Sequence, residues 1–357
     1  MKLKRPAIAL ALTTVTVPGT TLASTTGALA TSERHVAPTS AQSRPAAATI
    51  DAKGPGVFPH SADYYPGSRK FVTGSLAHST ISSVDQNGRV RTIIEDKKLV
   101  SVQAVRVDSK GNRILAGNVD YGTADRSTDA TKFKVAGVAA YAIGSGRRLW
   151  YADLNKVAND DKQHLVSDVT IAPDGTAYAV DQLSPTIFRI DRNGQASVLL
   201  RDDLLAGDLN IPDFLDNVGM SAVAWMPGNL LIVVKADGSL VRVPVDSPKK
   251  AVKVKLSTNL KALTAGIRVL PDKSLAVVSS GLLSGKAAVV QRVRPDRDWK
   301  SATVKVTDTV ADTVADPVTS SVTAGPGGRT YALSGGLAAL LAGKPNDGFT
   351  LRPVDVR

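Results

Sequence analysis

The residues best suited to moving a proton near neutral pH are His60, His78 and His164, because imidazole titrates close to physiological pH and also ligates metals. His60 is the leading candidate, as a general base or as a ligand for a softer metal, although a lone histidine also serves as a structural polar contact. Asp168 follows His164 by four residues and could either orient His60 or cap its own strand through a backbone hydrogen bond. Ser167, Ser221 and Ser320 offer hydroxyls, yet no Gly-x-Ser-x-Gly elbow is present to make any of them a nucleophile. The chain contains no cysteine, which excludes thiolate catalysis, cysteine metal sites, disulfides and lipid attachment through a thiol. The stretch "GLLSGKAA" lacks the spacing of a phosphate-cradling loop, and no His-Glu-x-x-His metal helix occurs.

What must position these residues is a repeat. Six phrases share one rhythm: "SADYYPGSRKFVTGS" from Ser61, "AVRVDSKGNRILAGN" from Ala104, "DVTIAPDGTAYAVDQ" from Asp168, "AVAWMPGNLLIVVKA" from Ala222, "GIRVLPDKSLAVVSS" from Gly266 and "SVTAGPGGRTYALSG" from Ser321. Five of them carry proline at the sixth position, Pro66, Pro173, Pro227, Pro271 and Pro326, and the other carries Ser109. Proline presets the first central position of a tight turn, so each phrase predicts a hairpin of two short strands. A third apolar run follows in most units, as in "TIFRIDRNG", and then a fourth, as in "ASVLLRD", "AVKVKLS" and "SATVKVTD". Four strands per unit, repeated at this spacing, predict an all-β fold: a six-bladed β-propeller with about four antiparallel strands per blade. The last unit departs from the rhythm, with "GGLAALLAGKPNDG" where a third strand belongs and "FTLRPVDVR" to close it. Two long insertions, "VDYGTADRSTDATKFKVAG" and "LLAGDLNIPDFLDNVG", are expected to line the channel mouth, with Tyr121, Asp213 and Phe214 folding over it.

The phrasing "FPHSADYYPGSRKFVTGSLAHSTISSVD", "SDVTIAPDGTAYAVDQLSPTIFRID" and "GSLVRVPVD" resembles the gluconolactonase, regucalcin and senescence-marker-protein superfamily of six-bladed propellers, and secreted bacterial lactonase-like members in particular. The resemblance covers roughly residues 56 to 357. It implies one divalent cation, usually calcium, held one residue before each repeated phrase by a Glu, two Asn and an Asp, with the metal polarising a lactone carbonyl. In this chain that column reads His60, Gln103, Ser167, Ser221, Ala265 and Ser320. The Glu position holds His60, the Asn positions hold Ser167 and Ser221, and the Asp position holds Ala265. Serine and alanine bring no carboxylate charge, so no cofactor is expected and calcium is not. The expected site has His60 and Asp168 as catalytic candidates, Gln103, Ser167, Ser221 and Ser320 as ligand-binding residues, and no metal. A nearly neutral, hydrogen-bonding pocket of this kind suits an uncharged polar or partly apolar small molecule. The alternatives are a divalent-metal lactonase or esterase with an atypical ligand set that includes His60 and Asp168, and a non-catalytic adhesive module.

The ends and the charge add the remaining expectations. Lys2, Lys4 and Arg5 precede a short apolar stretch and "ALA" at 28–30, which reads as a secretory signal peptide (residues 1–30) cleaved near Ala30. Residues 31–54, rich in Ser, Thr, Ala and Pro, read as a disordered leader, and residues 55–357 as a single propeller domain. The mature chain is then expected to be secreted, with no membrane span. Removing the three N-terminal bases lowers the net charge from +12 to +9. Between Lys249 and Lys305 thirteen Lys or Arg face only Asp272, Asp296 and Asp298. This stretch is either a solvated outer surface or a patch for an anionic partner; without aromatic residues beyond Trp299 it does not read as a specific nucleic-acid site.

Overall fold

Each repeated phrase folds into the two inner strands of one blade, joined by a tight turn that follows proline in five of them and Ser109 in blade 2. In blade 3, Val166–Ile171 and Ala177–Asp181 are joined at Pro173 by a turn in which the Gly175 N–H donates to the Ala172 carbonyl at 2.9 Å. Gly175 sits at φ +87°, a conformation that glycine adopts without strain. The computed structural model describes residues 48–357 except 55, 213, 285 and 311–317. The expected signal peptide, its cleavage site and most of the expected leader lie outside these residues, as does Asp213.

Six antiparallel sheets form the blades of a β-propeller. Their innermost strands are Ala62–Tyr65, Ser101–Asp108, Val166–Ile171, Met220–Met226, Thr264–Val269 and Thr319–Ala324, in blade order. Apolar side chains from facing sheets fill the gaps between blades, as where Val72 and Ile81 of blade 1 meet Val105 and Ala116 of blade 2. The innermost strands are also tied by side chains that accept backbone N–H groups from the next blade. Ser61 Oγ accepts from Val105 at 2.9 Å and Asp63 Oδ2 from Val107 at 2.8 Å, while Asp168 Oδ2 and Thr170 Oγ1 do the same for Val223 and Trp225 at 3.0 and 3.1 Å. Blades 5 and 6 approach so closely that a Cβ on Gly266 would lie 2.7 Å from the Ser321 Cα.

Three features differ from the sequence expectation. Ile50–Lys53, assigned to the leader, is a strand that pairs antiparallel with Gly348–Val354 as the outermost strand of blade 6, so the ordered fold takes in residues 50–54 as well. The cause is nonlocal: Ile50 and Ala52 bury against Phe349 and Leu351 almost three hundred residues away. "AVKVKLS" is not one strand but two, because Val252–Lys253 completes blade 4 and Lys255–Leu256 crosses over to pair parallel with Ser301–Val310 of blade 5. "GGLAALLAGKPNDG" contains a short helix, Leu337–Leu341, before Gly348–Val354 supplies the third strand of blade 6.

Candidate functional site

A bulge marks the same place in the innermost strand of five blades. The pairing register skips Gln103, Ser167, Ser221, Ala265 and Ser320, each the residue just before its repeated phrase. A bulge re-aims the extra side chain and leaves it outside the ladder. His60 holds the equivalent place in blade 1, ahead of Ala62–Tyr65. All six residues line one cavity of about 80 Å3, several times the space one water needs.

Much of the remaining wall is apolar, and the two insertions supply part of it. Tyr121 of the first insertion and Phe214 of the second lie with ring centroids 5.6 Å apart, and Phe133 closes the cluster at 6.5 Å from each. The second insertion is itself a hairpin, Leu209–Ile211 with Leu215–Val218. Asp120 shapes the first one by accepting from the Thr131 hydroxyl at 2.6 Å and the Gly122 N–H at 2.7 Å. Tyr121 donates its hydroxyl to Gln182 Oε1 at 2.6 Å, which anchors the lid to blade 3. Residues that sequence reasoning missed complete the cover: Leu76, Leu263, Leu282 and, from the short helix, Leu337, Leu340 and Leu341. The helical spacing of those last three leucines was the available signal. No Asp, Glu, Lys or Arg is among the described lining residues.

The polar residues of the ring fall into two groups. Ser167 Oγ donates to the Met220 carbonyl at 2.8 Å, and Ser221 Oγ to that of Val234 at 3.1 Å, so both hydroxyls are committed to backbone. Gln103 Nε2 reaches the Ser167 carbonyl at 3.4 Å. His60 has no hydrogen-bond partner among the described residues, and burial lowers its pKa to about 4, leaving a neutral imidazole at neutral pH. The positions that would hold the cation of the resembling superfamily thus present a neutral imidazole, two committed hydroxyls and a methyl group, a donor set that does not fit a hard cation.

Three expected participants stand elsewhere. Asp168 is not part of the cavity wall: its carboxylate pairs with Arg106 at 2.6 Å and accepts from the Val169 and Val223 N–H groups. Burial raises its pKa, against the pull of the Arg106 guanidinium. Asp168 therefore joins strands rather than orienting His60, because the bulge turns residues 167 and 168 to different tasks. His78 contacts Asp125 at 2.6 Å near the surface. Of the basic residues between Lys249 and Lys305, only Arg292 forms an ion pair among the described residues, and Trp299 is buried between blades 4 and 5.

His164 is fully buried, with Nδ1 2.7 Å from Asp181 and Nε2 2.8 Å from Asp160. Burial alone would lower its pKa, but the two carboxylates outweigh it and raise the value. The folded chain therefore holds this proton more tightly than the unfolded chain does. The resulting stability is complete below about pH 6.5 and is lost as pH rises through the folded pKa, at up to about 1.4 kcal/mol per pH unit. In denaturant titrations from pH 6 to 9, a His164→Gln variant should trail the wild type most at the acidic end. A gap that does not change with pH would show that the imidazole is neutral.

Six blades around a channel, with side chains of all six meeting at one mouth, define a six-bladed β-propeller. No protein-family model and no curated protein sequence matches the chain. Among solved structures, it is similar to the major allergen Mala s 1 of Malassezia sympodialis at TM-score 0.69 and 18% identity, over 86% of this chain and 96% of that one. It is also similar to a catalytically inactive virginiamycin B lyase of Staphylococcus aureus with quinupristin, at TM-score 0.54 and 13% identity over 87% and 89% of the two chains. A luciferin-regenerating enzyme gives TM-score 0.55 and 9% identity over 85% and 95%. At these identities the likeness shows the fold.

Proposed function

We propose that this propeller, of the gluconolactonase and regucalcin kind, binds a small, neutral and largely apolar organic molecule at the channel mouth without the calcium of that superfamily. The observation that carries this reading is that the six bulge-level residues share one cavity whose described wall has no charged side chain. Ligand sites are typically concave and mostly apolar, with a few convergent polar groups. His60 is the one residue placed to take a proton from a bound molecule, being neutral, unpartnered and part of the wall. That some neighbours in fold are enzymes agrees with a site able to transform its ligand. A shared His60 and Asp168 metal site is disfavoured because the Asp168 carboxylate is spent on Arg106 and two backbone amides.

A thermal-shift screen of uncharged metabolites, lactones included, tests the proposal. A ligand at a hundredfold excess over its Kd adds about 2.7 kcal/mol of stability. Neutral compounds are expected to raise the midpoint, EDTA to leave that shift unchanged, and a Leu340→Trp variant, which fills the cavity, to abolish it. Stabilisation confined to charged ligands, or lost on chelation, would overturn the reading.

A further inference from the structure

Among the described residues, two buried side-chain polar atoms have no hydrogen-bond partner: Gln103 Oε1 and Ser320 Oγ. Both residues are in the cavity wall, and they are only 3% and 2% exposed. Buried polar groups are nearly always paired, so two orphans in one wall call for a partner from outside the chain. Their placement is not scattered. Ser320, His60 and Gln103 belong to blades 6, 1 and 2, which are consecutive around the ring, and His60 likewise has no partner. Across the ring, Ser167 and Ser221 are satisfied by backbone carbonyls and Ala265 offers only a methyl group. One arc of the ring is therefore polar and unpaired, while the ring residues of the opposite arc are apolar or already satisfied.

The chemistry of each group limits what can pair with it. Gln103 Nε2 lies 3.4 Å from the Ser167 carbonyl, which can only accept, and this arrangement leaves Oε1 as an acceptor without a donor. The Ser320 hydroxyl has a proton to donate and is left without an acceptor. His60 is neutral near pH 7 and so brings no positive charge to the arc.

We propose that the Ser320, His60 and Gln103 arc is an anchor for the hydroxyl group of a neutral alcohol, whose apolar body lies against Ile211, Phe214 and Leu340. This rests on the reading of the cavity as a neutral ligand site. A hydroxyl both donates, to Gln103 Oε1, and accepts, from Ser320 Oγ. A ketone, ester, lactone or ether only accepts and leaves Gln103 unpaired. A carboxylate likewise brings no donor and meets no cation in the wall, and an ammonium meets no carboxylate.

The test uses the full chain and four probes of one carbon skeleton, cyclohexanol, cyclohexanone, methoxycyclohexane and cyclohexanecarboxylate, with Kd measured by calorimetry or ligand-observed NMR. Cyclohexanol should bind about tenfold more tightly than the ketone or the ether, one well-made buried hydrogen bond apart, and the carboxylate should bind weakest. Gln103→Leu should keep binding to the apolar skeleton but bring the alcohol-to-ketone ratio near one. Because Gln103 also touches Ser167, Ser320→Ala is the second variant: it removes a hydroxyl without a partner, should leave the unliganded midpoint unchanged or raised, and should cut the alcohol preference. If the probes bind and Leu340→Trp blocks them, but the ketone or ether equals the alcohol, the anchor is wrong and the cavity reading stands. If no neutral probe binds, or Leu340→Trp has no effect on binding, the cavity reading fails and the anchor with it.

Discussion

A chain shortened to begin at Gly54 is expected to be less stable by about 4 kcal/mol than one that begins at Ala48. Burial of Ile50 and the cover it gives Phe349 and Leu351 contribute about 6 kcal/mol, and the ladder to Gly348–Val354 about 3 kcal/mol. Ordering four residues costs about 5 kcal/mol, and the net follows. Denaturant melts of the two chains decide it, and the slope of free energy against denaturant should fall with the lost surface. Equal midpoints would mean that blade 6 closes without its outermost strand. The N-terminal and C-terminal segments join in one sheet, so the ring is shut by pairing between its ends, and the loss of one partner should be felt by blade 1 as well as by blade 6. Hydrogen exchange in Lys70–Gly74, next to Tyr331 through Phe71, should rise in the shorter chain.

An Asp168→Ala variant is expected to lose about 3 kcal/mol. The substitution leaves the Arg106 guanidinium without its carboxylate and the Val223 N–H without an acceptor, and breaking a buried pair by removing one partner costs about 3–5 kcal/mol. Arg106 retains some contact with water, which places the effect at the low end. Asp168→Asn keeps an acceptor for Val223 and should recover part of the loss. Ligand affinity measured well below the melting temperature should not change in either variant. A variant of normal stability that no longer binds ligand would instead put Asp168 in the site.

The sequence made the blades legible because each one repeats the same local chemistry. A turn at Pro173 or Pro271 and the apolar runs around it are decided within fifteen residues. The column of His60, Gln103, Ser167, Ser221, Ala265 and Ser320 was picked out by the family resemblance, one residue before each phrase, and the structure adds that five of these residues are bulges. What local reading could not reach depends on distant partners. "IDAK" at 50–53 carries a weak strand signal among Ala and Thr, and only Phe349 and Leu351 make it a strand. Asp168 reads as a mouth residue because it adjoins Ser167, but a bulge breaks the simple alternation of faces. His164 reads as a candidate proton carrier until Asp160 and Asp181 are seen on its two nitrogens. The leucines of Leu337–Leu341 stand where a strand was due, and their cavity-lining role depends on the loop folding as a helix.

The bulges have a consequence for how this protein can change. Because Gln103, Ser167, Ser221, Ala265 and Ser320 are skipped by the pairing register, exchanging their side chains leaves the ladder pairing itself intact, most freely at Ala265 and Ser320, which make no side-chain hydrogen bond to the frame. The mouth behaves as a set of interchangeable fittings on a fixed frame. Point changes there can supply or remove a cation ligand, a base or an anchor while the propeller continues to fold, so ligand choice and foldability can evolve largely independently.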